Sequence, residues 1–149
     1  MARSSGKQSA SYRTCECGHA WKTRDDFLRD KNVKIVGYQP DFVNHKYNHF
    51  LFQHTMKGCG QFLGVRASDF QELREKECAN ELCFAKEQCP GYCKNTLDLR
   101  VCSVNCRNAS DRMVATKIRT RRILRRLRPA RSARIHIGSR GKPAAARSK

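Results

Sequence analysis

Residues 50–65 carry the sequence FLFQHTMKGCGQFLGV, in which two short apolar runs flank a polar segment that contains glycine. Apolar runs of this length around such a segment are typical of a β-hairpin. The hairpin would place His54 at the end of its first strand and Cys59 in its turn. Imidazole and thiolate groups are the ligands that zinc prefers, so this stretch is also a candidate part of a metal site.

A short helix and a strand are predicted before the hairpin. Thr23 is followed three residues later by Asp26, which is a capping-box pattern, and we expect a helix over residues 23–30. Residues 32–39 are rich in β-branched side chains and end at a proline, so they predict a strand. Strict alternation would give this strand one face with Val33, Ile35 and Gly37 and another with Lys34, Val36 and Tyr38.

Two helices are predicted after the hairpin. Ser68 and Gln71 form a second capping box, which predicts a polar helix over residues 68–79. Ser110 can cap a final helix over residues 111–128, which a proline follows. Together the elements predict an α+β fold: a small antiparallel sheet with a zinc-ribbon-like knuckle, short helices, a cysteine-rich C-terminal loop and a terminal basic helix.

The chain of 149 residues is strongly basic, with 31 Lys and Arg against 13 Asp and Glu and a formal net charge of +18. Residues 112–149 hold 14 of these 31 basic residues and no Asp or Glu. We therefore predict four segments: a flexible N-terminus over 1–11, a cysteine-rich metal-binding domain over 12–111, a basic helix over 112–128 and a disordered basic tail over 129–149.

The composition also predicts the compartment and the state of the cysteines. The first ten residues are polar and basic, without the apolar core of a signal peptide, and no apolar run approaches the roughly 20 residues that span a bilayer. We therefore expect a cytoplasmic protein without a membrane span. In a reducing compartment, nine cysteines are more typical of metal ligands or redox groups than of disulfides, and an odd number cannot all pair within one chain.

Four cysteines near the end of the predicted domain form the pattern Cys-x3-Cys-x8-Cys-x3-Cys. They are Cys89, Cys93, Cys102 and Cys106. The turn dipeptide Pro90-Gly91 favours an irregular loop that brings both pairs together. Four thiolates complete the tetrahedral coordination of Zn²⁺, and the same set can hold an iron–sulfur cluster. The alternative is a helical hairpin bridged by disulfides, which Pro90-Gly91 disfavours.

A second candidate site combines the N-terminal cysteines with the hairpin. Glycine follows both Cys17 and Cys59, and it lets the backbone turn beneath a metal and direct amide N–H groups at the sulfurs. The predicted ligands are Cys15, Cys17, His54 and Cys59, with His19 as the alternative to His54. Such a site would clip the N-terminus to the hairpin.

Cys78 and Cys83 lie in a stretch rich in Glu and Lys that is predicted to be solvated. We interpret them as spare thiols. A redox-active pair or substitute metal ligands are the functional alternatives, but little in the flanking sequence would lower a thiol pKa.

Arginine dominates the predicted final helix. The candidate phosphate-binding residues are Arg119, Arg121, Arg122, Arg125, Arg126 and Arg128. Arginine-rich segments bind phosphate backbones through counterion release and often fold on RNA, so we expect non-specific contact with nucleic acid, RNA in particular, or with another polyanion. Anionic lipid is an alternative partner, and a tail without selected function is a third interpretation.

The sequence favours a binding module over an enzyme. It contains no phosphate-binding glycine loop, no Gly-x-Ser-x-Gly elbow and no His-Glu-x-x-His motif, and we predict no catalytic residue. The leading hypothesis is a small zinc-binding protein with an arginine-rich segment for nucleic acid. The alternatives are an iron–sulfur protein for electron transfer or redox sensing, and a metal-stabilised adaptor that binds another protein.

Several of these motifs occur together in a known pattern. They are Gly37-Tyr38-Gln39, the Phe50–His54 strand, Cys59-Gly60, and Cys89-Pro90-Gly91-Tyr92-Cys93 with Cys102 and Cys106. Through them residues 12–118 resemble a family of small cysteine-rich bacterial proteins of unknown function. The resemblance implies that the eight predicted ligands occupy pattern positions, whereas Cys78 and Cys83 do not. The final helix and tail are richer in arginine than that pattern.

Overall fold

The computed structural model describes residues 10–75, 81–84 and 86–127. Apart from residues 10 and 11, the predicted flexible N-terminus over 1–11 lies outside this part of the chain. The predicted disordered tail over 129–149 lies outside it entirely.

The described residues form an α+β fold, as predicted. Its elements are β1 Arg13–Thr14, β2 Ala20–Trp21, α1 Arg24–Arg29, β3 Val33–Gln39, β4 His49–His54, β5 Phe62–Arg66 and α2 Arg107–Leu127. Strands β1 and β2 pair in a short antiparallel ribbon, and the other three form an antiparallel sheet in the order β3-β4-β5. Short 3₁₀ helices occupy His45–Tyr47, Ala67–Leu73 and Tyr92–Lys94.

Helix α1 begins at the predicted capping box. The Asp26 amide donates to the Thr23 hydroxyl at 3.0 Å, and the Thr23 amide donates to the Asp26 carboxylate at 3.2 Å. These two bonds satisfy amide groups that have no partner within the helix. Phe27, one turn further on, is buried edge-on against Trp21 and Phe52, with centroid distances of 5.0 Å to each. The helix therefore packs the N-terminal ribbon against the sheet.

The hairpin predicted over residues 50–65 is confirmed by the pairing of β4 with β5. Along β4 the side chains of Phe50, Phe52 and His54 are buried, while those between them are half-exposed. This alternation is the pattern of a strand that faces the core on one side. It places the His54 imidazole on the buried face at the end of the strand.

Strand β3 contains a bulge that the alternation rule does not anticipate. Ile35 faces Phe52 on β4, but Gly37 faces Leu51, so Val36 is an extra residue in the pairing. One extra residue reverses the side on which every later side chain points. Tyr38 therefore lies opposite Phe50 and is buried. The prediction that Tyr38 faces away from Val33 and Ile35 was wrong for this reason.

Next to the bulge, the cysteine-rich loop packs closely against the edge of β3. The Tyr38 amide donates to the Thr96 carbonyl at 2.8 Å. A methyl group on Gly37 would lie 2.7 Å from that same carbonyl oxygen. Glycine at this position therefore permits the cysteine-rich loop to dock on the edge of the sheet.

The segment after the hairpin differs from its prediction. Instead of a capped helix over residues 68–79, a 3₁₀ helix runs over Ala67–Leu73, and Arg66 at its N-cap makes no capping bond. Ala67, Phe70 and Leu73 are all buried. The backbone leaves helical geometry at Phe70 (φ −123°, ψ 28°), so the segment is two short turns joined at a kink, with this triplet buried. Residues 76–80, which include Cys78, lie outside the described part.

Helix α2 begins at Arg107 rather than at Asp111, and Ser110 lies within it instead of capping it. The Ser110 amide donates to the carbonyl of Cys106 at 3.1 Å, as in a regular helix. Asn108, Asp111 and Arg112 are all buried, so tertiary contacts hold the first turns in helical form. The helix thus runs across the predicted boundary between residues 111 and 112.

The core lies between the three-stranded sheet and the two helices. Phe50 and Phe70 pack with a centroid distance of 5.6 Å, beside Phe52. From α2, Val114, Ala115 and Ile118 are buried against this layer. The first half of α2 is consequently part of the domain.

A buried polar network joins α2 to the sheet. The carboxylate of Asp111 is fully buried and accepts hydrogen bonds from Nδ2 of Asn48 at 2.7 Å and from the Tyr38 hydroxyl at 3.1 Å. Its other oxygen accepts two bonds from the Arg74 guanidinium, at 2.6 and 3.0 Å. Burial and the neighbouring Asp111 carboxylate raise the pKa of Tyr38 well above its usual value. A single charge therefore organises three separate segments of the chain.

We expect Asp111→Ala to lower the free energy of unfolding by about 3 to 5 kcal/mol, because it leaves the Arg74 charge and the Asn48 amide buried without their acceptor. Urea titration measures the change. Asp25→Ala is the matched control, since it removes an exposed carboxylate paired with Arg29 at 3.4 Å and should change stability little. Equal effects of the two substitutions would contradict this interpretation.

Candidate metal centre

The turn between β1 and β2 presents two of the predicted ligands, Cys15 and Cys17. The Cys15 amide donates to the His19 carbonyl at 2.7 Å, and the Gly18 amide donates back to the Cys15 carbonyl at 2.9 Å. Gly18 has a φ of 86°, a left-handed conformation that favours glycine. The chain therefore reverses tightly enough to direct both thiols to the same side.

The turn between β4 and β5 presents the other two ligands. His54 ends β4, and its carbonyl accepts the Gly60 amide at 2.9 Å. The Cys59 amide donates to the Met56 carbonyl at 2.9 Å. With φ near 80°, Gly60 lets the chain rejoin β5 immediately after the cysteine. These bonds hold Cys59 close to the end of β4.

The structure brings the four predicted ligands together. One ligand atom from each of Cys15, Cys17, His54 and Cys59 lies within 4.8 Å of all the others. Cys15 Sγ is 3.5 Å from Cys59 Sγ, and Cys17 Sγ is 3.5 Å from His54 Nδ1. Tetrahedral bonds of about 2.0 Å to nitrogen and 2.3 Å to sulfur require ligand separations of about 3.5 to 3.8 Å. The cluster thus has the dimensions of a site for one metal ion.

The sequence left open whether His54 or His19 is the fourth ligand. The geometry favours His54. His54 is fully buried with its Nδ1 toward Cys17, whereas His19 Nε2 lies 3.6 Å from the Asp30 carboxylate. The His19 ring instead packs 5.3 Å from the ring of His54, and Trp21 packs against the same ring at 5.1 Å. These two rings support the imidazole that reaches the cluster.

The two N-terminal thiols have different acidities in the metal-free protein. Burial raises the pKa of Cys15 to about 11, against the opposing effect of a hydrogen bond from the Cys17 amide. The pKa of Cys17 is lowered, chiefly because the His19 amide donates to its sulfur. Amide donors to sulfur stabilise thiolates, as metal-bound cysteines require. The turn therefore supplies the N–H groups that the glycine pattern predicted.

The cluster is partly shielded from solvent. Cys15 and His54 are buried, Cys59 is half-buried, and only Cys17 is exposed. Four protein ligands leave no open coordination position for a substrate, which is the arrangement of structural rather than catalytic zinc sites.

The other predicted set occupies the loop before α2. Pro90-Gly91 forms a turn in which Gly91 has a φ of 72°, and no α-helix occurs among residues 86–106. The helical-hairpin alternative was therefore wrong, and every described cysteine is a free thiol. Within the described residues, Cys89, Cys93, Cys102 and Cys106 do not form a group as compact as the first one.

Cys83 differs from its prediction. It was expected to be a solvated spare thiol, but it is 4 % exposed and packs against Cys106. A local signal could have indicated this, because Cys83 stands between Leu82 and Phe84 in an otherwise charged stretch. Cys78 lies outside the described residues, so its prediction stays a prediction.

The predicted phosphate-binding arginines lie on or beyond the second half of α2. Arg119 and Arg121 are exposed. Arg122, Arg125 and Arg126 belong to the helix, and Arg128 lies outside the described residues. Arg112, at the start of the predicted basic segment, is fully buried instead.

Comparisons with protein-family models, with curated proteins and with solved structures give no match for this chain. The resemblance to small cysteine-rich bacterial proteins therefore stays a prediction. Over the residues described, no helix has both the length and the apolar composition needed to cross a bilayer.

We expect the affinity of this centre for a divalent metal ion to rise with pH. Because burial raises the pKa of Cys15 to about 11, its thiol is protonated at neutral pH and a metal ion must displace that proton. Each proton released lowers the apparent dissociation constant about tenfold per pH unit. Chelator-competition titrations across the neutral range measure this slope. A flat profile would show that the thiols ionise before the metal binds.

Proposed function

We propose that this protein is a zinc-binding module in which one ion, held by Cys15, Cys17, His54 and Cys59, fastens the N-terminal ribbon to the β4–β5 hairpin. The observation that carries the proposal is the convergence of four donor atoms from two distant turns to within 4.8 Å. The β1–β2 ribbon has only two residues in each strand, so its own backbone pairing is short. A metal bridge would supply the stability that so short a ribbon lacks.

The donor set favours zinc over an iron–sulfur cluster at this position. Separations of 3.5 Å between donor atoms fit ligands of a single ion. Cluster ligands bind different iron atoms and need room for inorganic sulfide between them. Three thiolates and one neutral imidazole also match the ligand preference of structural zinc.

Substitution of one ligand tests the proposal. We expect Cys59→Ser to abolish zinc binding at this centre and to remove the stabilisation that zinc gives, about 4 kcal/mol when free zinc exceeds its dissociation constant a thousandfold. Elemental analysis and thermal unfolding with and without a chelator measure both effects.

Lys57→Ala is the control, because Lys57 lies exposed in the same turn and offers no thiol or imidazole. It should retain zinc at the wild-type level. As many zinc ions per chain in Cys59→Ser as in wild type, or a stability that no chelator changes, would sink the proposal.

We further propose that the arginine-rich C-terminal segment contacts nucleic acid through its phosphates, without sequence specificity. Supporting this is the charge distribution, since residues 112–149 hold 14 basic and no acidic residues. In the described part, α2 carries Arg119 and Arg121 exposed just beyond Ile118, the last residue of the helix known to be buried. Phosphate binding by such residues depends strongly on salt.

The nucleic-acid proposal predicts a specific change in salt dependence. Arg119→Gln with Arg121→Gln should lower the slope of log affinity against log salt by about 0.7 for each lost phosphate contact on single-stranded RNA. Fluorescence anisotropy over a range of salt concentrations measures the slope.

Lys34→Gln with Lys46→Gln is the matched control, because it removes the same charge from exposed positions elsewhere. It should leave the slope nearly unchanged. An equal change in both variants would mean that net charge alone, rather than this segment, determines binding.

A further inference from the structure

A second group of thiols surrounds a small cavity between the cysteine-rich loop and the start of α2. The cavity has a volume of about 20 Å³ and an almost entirely apolar lining. Five thiols line it: Cys83, Cys89, Cys93, Cys102 and Cys106. Four of these are the ligands predicted from the sequence, and Cys83 is the addition that the fold makes.

Cys83 and Cys106 are the most deeply placed of the five, with exposures of 4 % and 8 %. The Cys83 amide donates to the Cys106 sulfur at 3.2 Å. The Arg107 amide donates to the Glu81 carbonyl at 2.8 Å, so backbone bonds fasten the segment of Cys83 to the start of α2. Backbone contacts therefore hold Cys83 and Cys106 close together.

A buried charge lies at the edge of the thiol group. Arg112 is fully buried, and its guanidinium interacts electrostatically with the neighbouring sulfur of Cys93. Its Nε donates to the Arg100 carbonyl at 2.8 Å, and its Nη2 lies 3.2 Å from the Asp98 carboxylate. Nη1 is buried and has no hydrogen-bond partner among the described residues.

The charges around Arg112 do not cancel. Asp98 also pairs with Arg100 at 2.6 Å, so one carboxylate serves two guanidinium groups. A buried cation with an unused donor is costly unless an anion lies beside it. A zinc ion with four thiolates carries two formal negative charges and sulfur acceptors, which would meet both needs.

We propose that Cys83 is a ligand of a second metal centre, in which a single zinc ion is held by four of these five thiols, Cys83 and Cys106 among them, with Arg112 as the buried counter-charge. The cavity has room for about one water-sized species, which favours one ion over a cluster. In the described part of the structure, no three of these five sulfurs lie within 4.8 Å of one another. Metal binding would therefore shorten the distances between them.

Zinc retention by the full-length protein under competition with a chelator tests the second centre. The protein is purified without oxygen and loaded with zinc. Wild type should retain about two zinc ions per chain, and Cys83→Ser and Cys106→Ser about one each, because the fifth thiol replaces the lost ligand poorly. Cys59→Ser should also retain about one, and its combination with Cys83→Ser about none.

Val104→Ala is the matched control, because Val104 packs against the same cysteines but offers no metal ligand. It should retain about two zinc ions. Retention by Cys83→Ser equal to wild type would overturn the role of Cys83. Loss of zinc from Cys59→Ser alone, with wild type holding about one ion, would leave the first centre standing and refute the second.

Cobalt substitution of the wild type gives a readout that does not depend on the folding of variants. Filling the second centre should add about four-thirds of the thiolate-to-cobalt charge-transfer absorption that filling the first adds. The reason is that the second centre has four thiolate ligands and the first has three. A second equivalent without this absorption would contradict the proposal. Iron with acid-labile sulfide in the anaerobically purified protein would overturn the single-ion centre in favour of a cluster.

Discussion

The buried carboxylate of Asp111 is the constraint on which the rest of the structure depends. It is reached by Asn48 from the start of β4, by Tyr38 from β3 and by Arg74 from the end of a 3₁₀ helix. An unpaired charge at this depth would cost several kcal/mol, so all three segments must be in place together. Helix α2 is thereby fixed against the sheet, and with it the loop that ends at Cys106.

Two groups of thiols lie in separate parts of the fold. The first joins the N-terminal ribbon to the hairpin turn through four compact ligands. The second lies where the cysteine-rich loop meets the start of α2, and its lining includes Cys83 and Cys106. Metal ligation at both, as we propose, would fasten the N-terminal ribbon and the cysteine-rich loop to the rest of the domain.

Prediction from the sequence succeeded where the signal was local. The capping box of Thr23 and Asp26, the hairpin of residues 50–65 and the cysteine–glycine turns depend on neighbours in the chain, and the structure confirms them. It failed where distant contacts override local preference. The bulge at Val36 turns Tyr38 into the core, and the kinked segment Ala67–Leu73 and the first turns of α2 bury side chains against other segments.

The same division applies to the candidate sites. The sequence by itself determined which residue types were available and which turns could present Cys15, Cys17 and Cys59, because thiolate chemistry and glycine turns are local properties. Only the tertiary structure decided between His54 and His19, since the choice depends on which ring the core directs at the thiols. Only the tertiary structure buried Cys83 and Arg112, because burial is set by segments that pack from elsewhere in the chain.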